Sequence, residues 1–147
     1  MEQTGILEQI KAVFPCQEQD IRTYSPLALA YIGDGIYELV VRTVIVEKAN
    51  RRNNDLHRMA VRYVKAENQA KMAETLKPLL SEEEGDVFRR GRNASPHSVA
   101  KNAKRSDYYK ATGFEALMGY LYLTGRTERM LELIRMGMES LEGGSGK

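Results

Sequence analysis

Residues 28–41, ALAYIGDGIYELVV, read as the middle of a long apolar helix with a single carboxylate, Asp34, set between Gly33 and Gly35. A charge and two glycines are what a buried helix avoids. The two glycines together cost about 1–2 kcal/mol of helix propensity relative to alanine. Projected at helical spacing, Asp34 shares its face with Leu27, Ala30, Tyr31, Tyr37 and Val41, a stripe expected to be buried. A second acid is set the same way. In KATGFEALMGYLYL, residues 110–123, Glu115 is flanked on its face by Ala111, Thr112, Met118, Gly119 and Tyr122.

Outward from these two stretches the pattern stays helical, and no strand is read. Residues 4–14 form a short amphipathic helix stopped by Pro15. Ser25-Pro26 is a start signal, a hydroxyl cap followed by proline at the first helical position, for a helix to about Glu47. Asn53 or Asn54 caps the next, with Leu56, Met59, Ala60, Tyr63 and Val64 at helical spacing; it continues, with a break near Ala66, to Leu76 before Pro78. Ser81 with Glu84 matches a capping box and opens a helix through about Arg90. Residues 91–106, GRNASPHSVAKNAKRS, are polar, basic and irregular and read as a loop with room for one helical turn. A helix follows from about Asp107 to Leu123 and ends at Gly125. Thr127 caps the last, with Met130, Leu131, Leu133, Ile134 and Met138 turned inward. The expectation is one all-α domain over residues 1–142 and a disordered tail over 143–147.

Composition agrees with a soluble globular chain: 147 residues, 42% hydrophobic, 29% charged, four prolines. Asp34, Glu38 and Arg42 break the longest apolar region, so no membrane span is read, and the N-terminal segment lacks the pattern of a secretory signal. The single Cys16 excludes an internal disulfide and a cysteine-based zinc site. A cytoplasmic location fits all of this. The net charge of +2 is unevenly spread: residues 51–77 hold seven Lys/Arg against three acids, and residues 89–110 seven against one. Such segregation is the footprint of a polyanion partner, or else a solvated helix face beside a basic loop.

A lone buried carboxylate is costly. Two on different helices are reconciled if they converge on a cation. Oxygen donors, with only His57 and His97 and one cysteine available, favour Mg²⁺ or Mn²⁺ over zinc. The alternative is that each acid caps a neighbouring helix or pairs with an arginine. Glu38, one turn after Asp34, is a lesser candidate, and no Ser/His/Asp set is recommended by spacing.

The two acidic helices resemble the motifs of the ribonuclease III family. LALAYIGDGIYELVV, residues 27–41, is similar to the family's signature helix, and ATGFEALMGYLYLTG, residues 111–125, to its second acidic motif. NDLHRMAVRYVKAENQAKMA, residues 54–73, looks like the helix between them, and the resemblance runs over residues 22–142. It implies a helical endonuclease-domain bundle and a two-fold homodimer, with the helices around Ala30, Gly33 and Gly35 at the seam. It also implies Mg²⁺-dependent hydrolysis of double-stranded RNA, with Mn²⁺ able to substitute, leaving 5′-phosphate and 3′-hydroxyl ends. Asp34 and Glu115 match the family's direct metal ligands and would be the catalytic pair. Other acidic positions of the family fall on Leu27, Ala30, Thr112 and, near the turn, Asn53, so water or RNA phosphate would fill more of the coordination sphere. The chain ends where the family's separate RNA-binding domain would begin, which resembles a single-domain branch that trims the precursor of 23S ribosomal RNA.

Without that extra domain, RNA contact is expected from Arg89, Arg90, Arg92, Lys101, Asn102, Lys104 and Arg105, reaching phosphates and 2′-hydroxyls. A ribosomal protein presenting the substrate is a further expected partner. Two rival readings stay open at this level. The missing acids suit a dimer that binds structured RNA without cutting it. A metal-dependent hydrolase of small nucleotides would instead have no use for the basic segment.

Overall fold

The computed structural model describes residues 5–15, 17, 19–49, 53–94 and 105–145. Cys16, His97, Lys101, Asn102 and Lys104 lie outside the described residues. Seven helices are described: α1 (Ile6–Val13), α2 (Pro26–Ala49), α3 (Asn53–Val64), α4 (Ala66–Leu76), α5 (Glu82–Asn93), α6 (Arg105–Leu123) and α7 (Thr127–Ser145). Short 3₁₀ turns cover Ile21–Thr23 and Lys77–Leu79, and there is no strand among the described residues. No described helix is long and apolar enough to cross a membrane.

Local chemistry sets the helix ends. The Ala28 amide donates to Ser25 Oγ at 3.1 Å, just ahead of the first turn of α2. The Glu84 amide donates to Ser81 Oγ at 3.1 Å, and the Ser81 amide donates to Glu84 Oε1 at 2.9 Å, completing the capping box of α5. Between α3 and α4 the chain breaks at Lys65. There Asn68 Nδ2 donates to the Arg62 carbonyl (2.6 Å) and Gln69 Nε2 to the Val64 carbonyl (2.8 Å), satisfying carbonyls the ended helix leaves free. After α6, Gly125 adopts φ 75°, where an L side chain is strained. Its amide donates to the Tyr122 carbonyl and that of Arg126 to Leu121, the paired bonds of a Schellman turn.

Helix α6 is the axis of the bundle, packed by α2, α5, α4 and α7. It is buried nearly all round, from Ala111 to Tyr122, with Glu115 and Tyr120 the half-buried interruptions. Tyr37 of α2 is fully buried: its ring meets Phe114 edge-on at 5.0 Å, and its hydroxyl donates to the Tyr63 carbonyl at 2.7 Å. That residue ties α2, α3 and α6 together. Buried Glu84 ties α5 to α7 through Arg129 (2.9 Å) and Arg126 (3.3 Å). Burial opposes its charge, but the Arg129 hydrogen bond outweighs that and holds the carboxyl at about 2.

The boundaries differ from the sequence expectation in three places. Helix α5 runs through Asn93, so residues 91–93 are helical and not loop. The reason is Gly91, which faces α6 so closely that an added Cβ would lie 2.6 Å from Ala116 Cβ. Leu131 faces outward at 43% exposed, while Met130, Leu133, Ile134 and Met138 are buried. It stands one residue, about 100°, off that face. Helix α7 carries on through Ser145, into the stretch read from sequence as a tail.

Candidate active site

Glycine brings the two acidic helices together. A Cβ on Gly33 would lie 1.7 Å from the Glu115 carbonyl oxygen, and one on Gly119 would lie 2.0 Å from the Leu29 carbonyl oxygen. Helices α2 and α6 therefore cross with backbone against backbone. Gly35, by contrast, has nothing within 4 Å of its Cβ position. Of the residues implied for a dimer seam, Gly33 and Ala30 are buried within the chain, and Gly35 alone faces open space.

The crossing places Asp34 beside Glu115, eighty-one positions away in sequence. The Asp34 charge acts directly on the Glu115 carboxyl. The expected burial of Asp34 does not hold: it is exposed. Ala30, Tyr37 and Val41 on one side of it are buried, whereas Leu27 and Tyr31 on the other are exposed, Tyr31 at 85%. The edge of the core runs through Asp34. Glu115 is half-buried and keeps its expected surroundings, since Ala111, Thr112, Met118, Gly119 and Tyr122 are all buried.

Burial first, and then the facing Asp34 carboxylate, pushes the Glu115 carboxyl up to about 8; Glu38 adds a smaller repulsion. Two carboxylates that raise one another's cost of ionising suit a hard divalent cation. Among the described residues no group of three or more His, Cys, Asp or Glu is placed to hold a metal ion. Mg²⁺ commonly keeps several waters and accepts such a pair. Glu38 instead pairs with Arg42 at 3.4 Å, and His57 is exposed. At the positions where further acids were sought, Ala30 is buried, Leu27 is exposed, and Thr112 donates to its own helix at the Tyr108 carbonyl (3.0 Å). Asn53 begins α3.

The described basic candidates lie at the end of α5 and the start of α6. Arg89 and Arg90 are exposed, with Arg89 paired to Asp86 at 2.7 Å; Arg92 is half-buried, and exposed Arg105 opens α6. Two further cations belong with them. Lys110 pairs with Glu74 of α4 at 2.8 Å, and Lys110, Lys77 and Arg92 all draw the Glu74 carboxyl below its ordinary value. The two positive segments of the sequence thus meet around Glu74. Charge counting ended the first segment at Lys77 and the second at Lys110, but only the fold joins them.

The Ribonuclease III domain model matches residues 27–126. Mini-ribonuclease 3 of Symbiobacterium thermophilum is 49% identical over 122 residues, covering 83% of this chain and 94% of the relative. Mini-ribonuclease 3 of Thermoanaerobacter sp. is 44% identical over 138 residues, covering 94% of this chain and 95% of the relative. The crystal structure of protein FN1578 from Fusobacterium nucleatum superposes with a TM-score of 0.75 at 27% identity, over 84% of this chain and 98% of that one. By domain match, by identity over most of its length and by fold, the chain belongs to the Mini-ribonuclease 3 branch of the ribonuclease III family and is an endoribonuclease.

Proposed function

We propose that the chain cuts double-stranded RNA in a Mg²⁺-dependent reaction, with Mn²⁺ able to substitute, and that its substrate is a stem of the 23S ribosomal RNA precursor in the cytoplasm. Asp34 and Glu115 are the catalytic pair that holds the metal. The observation that carries the reading is their meeting across the α2–α6 crossing, where the Asp34 charge opposes that of Glu115. When bound, the metal supplies an acidified water and offsets charge on the scissile phosphate. Asp34, exposed, presents its carboxylate to solvent. Glu115 is held more rigidly by its buried neighbours and fixes the other side of the pair. Arg89, Arg90, Arg92, Lys101, Asn102, Lys104 and Arg105 bind phosphates and orient the duplex, joined by Lys77 and Lys110 around Glu74. Such binding falls steeply with salt.

A homodimer suits a duplex substrate, since each subunit then addresses one strand. Support comes from α2, where Leu27, Tyr31, Leu39 and Val46 are exposed apolar residues on the side of the helix where Gly35 faces open space. Asp34 borders that stripe. Presentation of the stem by a ribosomal protein would add to this binding surface.

The test is cleavage of a labelled pre-23S stem and of an unrelated duplex, with and without Mg²⁺. The wild type gives product with metal, and Asp34→Asn and Glu115→Gln give none. Undiminished cleavage by Glu115→Gln overturns the assignment of the pair, and equal rates on the two duplexes overturn the substrate.

A further inference from the structure

Arg89, Arg90 and Arg92 stand close together near the end of α5, and the packing of that helix sends them to different places. Gly91 lies against α6, where an added Cβ would stand 2.6 Å from Ala116 Cβ and 3.1 Å from Gly113 Cα. Its two neighbours turn off that contact in opposite directions, by about 100° each. Residues three or four apart share a helix face. Val87, three before Arg90, is buried in one cluster with Leu29 and Ala30 of α2 and Ala116 of α6. Phe88, four before Arg92, belongs to the main core with Met72 and Leu76 of α4. Arg92 lines a cavity with Lys77 and Phe88 and acts on Glu74 of α4. Arg90 therefore stands on the α2 side of α5, and Arg92 on the α4 side. Arg89 is turned away from α6 and pairs with Asp86 at 2.7 Å.

The α2 side is also the side of the acids. Gly33 meets Glu115 and Gly119, and Tyr37 meets Phe114, so α2 runs antiparallel to α6. Glu83 accepts from the Tyr120 hydroxyl and Gly91 meets Gly113 and Ala116, so α5 runs antiparallel to α6 as well. The two helices thus ascend α6 in the same direction, with Ala30 and Val87 in a shared cluster between them. One turn further along each, on the same faces, come Asp34, four after Ala30, and Arg90, three after Val87. Ala30 and Val87 are buried, whereas Asp34 and Arg90 are exposed, so the gap between α2 and α5 opens to solvent at the level of Glu115. Arg90 has no hydrogen-bond or ion-pair partner among the described residues. A free guanidinium and an acidic pair at the mouth of one gap suit a group that binds both a cation and a guanidinium, which is the chemistry of a phosphate.

Resting on the reading of Asp34 and Glu115 as the catalytic pair, we propose that Arg90 is a further catalytic residue, gripping the non-bridging oxygens of the phosphate that is cut, while Arg89 and Arg92 hold phosphates elsewhere along the strand. In that step the oxygen of water bonds to phosphorus, the bond from phosphorus to the 3′ oxygen breaks, and a proton of that water ends on the 3′ oxygen. Negative charge gathers on the non-bridging oxygens as the new bond forms. A planar guanidinium fork fixed beside them stabilises that state more than it stabilises the bound RNA.

The experiment measures two quantities for the wild type, Arg90→Lys, Arg90→Met and Arg92→Met. One is affinity for a labelled RNA duplex by fluorescence anisotropy without metal, and the other is the single-turnover cleavage rate at saturating duplex with Mg²⁺. Lysine keeps the charge and loses the fork. Arg90→Lys binds the duplex as the wild type does, with the same dependence on salt, but its saturated rate falls about 100-fold. Arg90→Met loses at least as much rate. In Arg92→Met the loss falls on affinity. Melting by circular dichroism matches the wild type in both Arg90 variants, because the side chain is exposed. If Arg90→Lys cuts at the wild-type rate, or if Arg92→Met loses as much saturated rate as Arg90→Met, the role of Arg90 is overturned while the acidic pair stands. If the wild type cuts no duplex with Mg²⁺, the reading of the pair falls and takes this inference with it.

Discussion

Replacing Gly33 with alanine tests the close crossing on which the site depends. The new Cβ would lie 1.7 Å from the Glu115 carbonyl oxygen and 2.7 Å from both its carbonyl carbon and the Gly119 nitrogen. Ordinary contact begins at about 3.5 Å, so the helices must separate by roughly 1.5–2 Å. The obstruction is backbone on both sides, and no rotamer change relieves it. Overpacking of this kind costs about 1–3 kcal/mol, and the upper end applies here. The better helix propensity of alanine returns about 1 kcal/mol. The net loss of about 2 kcal/mol corresponds to a melting temperature lower by about 4–8 °C in a chain of this size. A domain with about 5–15 kcal/mol of stability stays folded at 25 °C. Activity suffers more, because the displaced atom belongs to Glu115 itself and the substituted residue adjoins Asp34. A misplacement of about 1 Å at a reacting centre costs roughly 100-fold in rate. The assay pairs melting by circular dichroism with single-turnover cleavage of a labelled duplex at 25 °C. Gly85→Ala is the control: its Cβ meets nothing within 4 Å, so it melts no lower than the wild type and cuts at the wild-type rate. A Gly33→Ala protein that melts normally and cuts at full rate would refute the argument from crossing distance to catalysis.

Three further predictions concern other parts of the molecule. Glu84 has its folded pKa depressed to about 2 from 4.5, so its contribution is fully present above pH 4.5 and is lost as the pH falls from there toward 2. Its side chain is only 1% exposed, and the shift is worth about 3 kcal/mol; urea unfolding from pH 7 to pH 2 shows a steep acid loss in the wild type that Glu84→Gln flattens. For RNA binding, Arg89, Arg90 and Arg92 changed together to alanine in an Asp34→Asn background reduce the slope of log affinity against log salt by about 2. The reduction falls short of one per arginine because Arg89 is partly neutralised by Asp86, and an unchanged slope would remove these residues from the interface. Tyr31→Glu, on the exposed stripe of α2, leaves the fold intact because the ring is 85% exposed within the subunit; sedimentation should shift from dimer to monomer, and an unshifted dimer would exclude this face as the seam.

What the sequence made legible was chemistry acting within a few residues. The Ser25-Pro26 start, the Ser81–Glu84 box and the Gly125 stop are each decided by bonds spanning five positions or fewer, and each stands in the structure. Asp34 and Glu115 were legible as a pair because helical projection exposes an acid among apolar neighbours. Projection gives an angle around one helix and does not say where the covering helix stops, which is why Asp34 was expected inside and lies at the rim. The same blindness gave Gly33 and Gly35 equal weight, though one meets α6 and the other meets nothing. It also made Gly91 the start of a loop when it is a helix contact.

The glycines and the acids are one feature rather than two. Helix pairs with ordinary side chains between them sit about 8–10 Å apart. At that spacing a short aspartate on α2 would not reach across to a carboxyl on α6 and still leave both facing one site. With Gly33 against the Glu115 carbonyl and Gly119 against the Leu29 carbonyl, no side chain stands between the axes at the crossing. The carboxyls can then meet directly beside it, and this is why Gly33 adjoins Asp34 and Gly119 stands one turn from Glu115. Closeness has a consequence for charge: burial first, and then the facing Asp34 carboxylate, raises Glu115 to about 8. The same backbone contact that holds the pair together thus creates the repulsion that a divalent cation relieves. A variant that widened the crossing would lower that repulsion and weaken cation binding together, whereas one that only loosened the core would do neither.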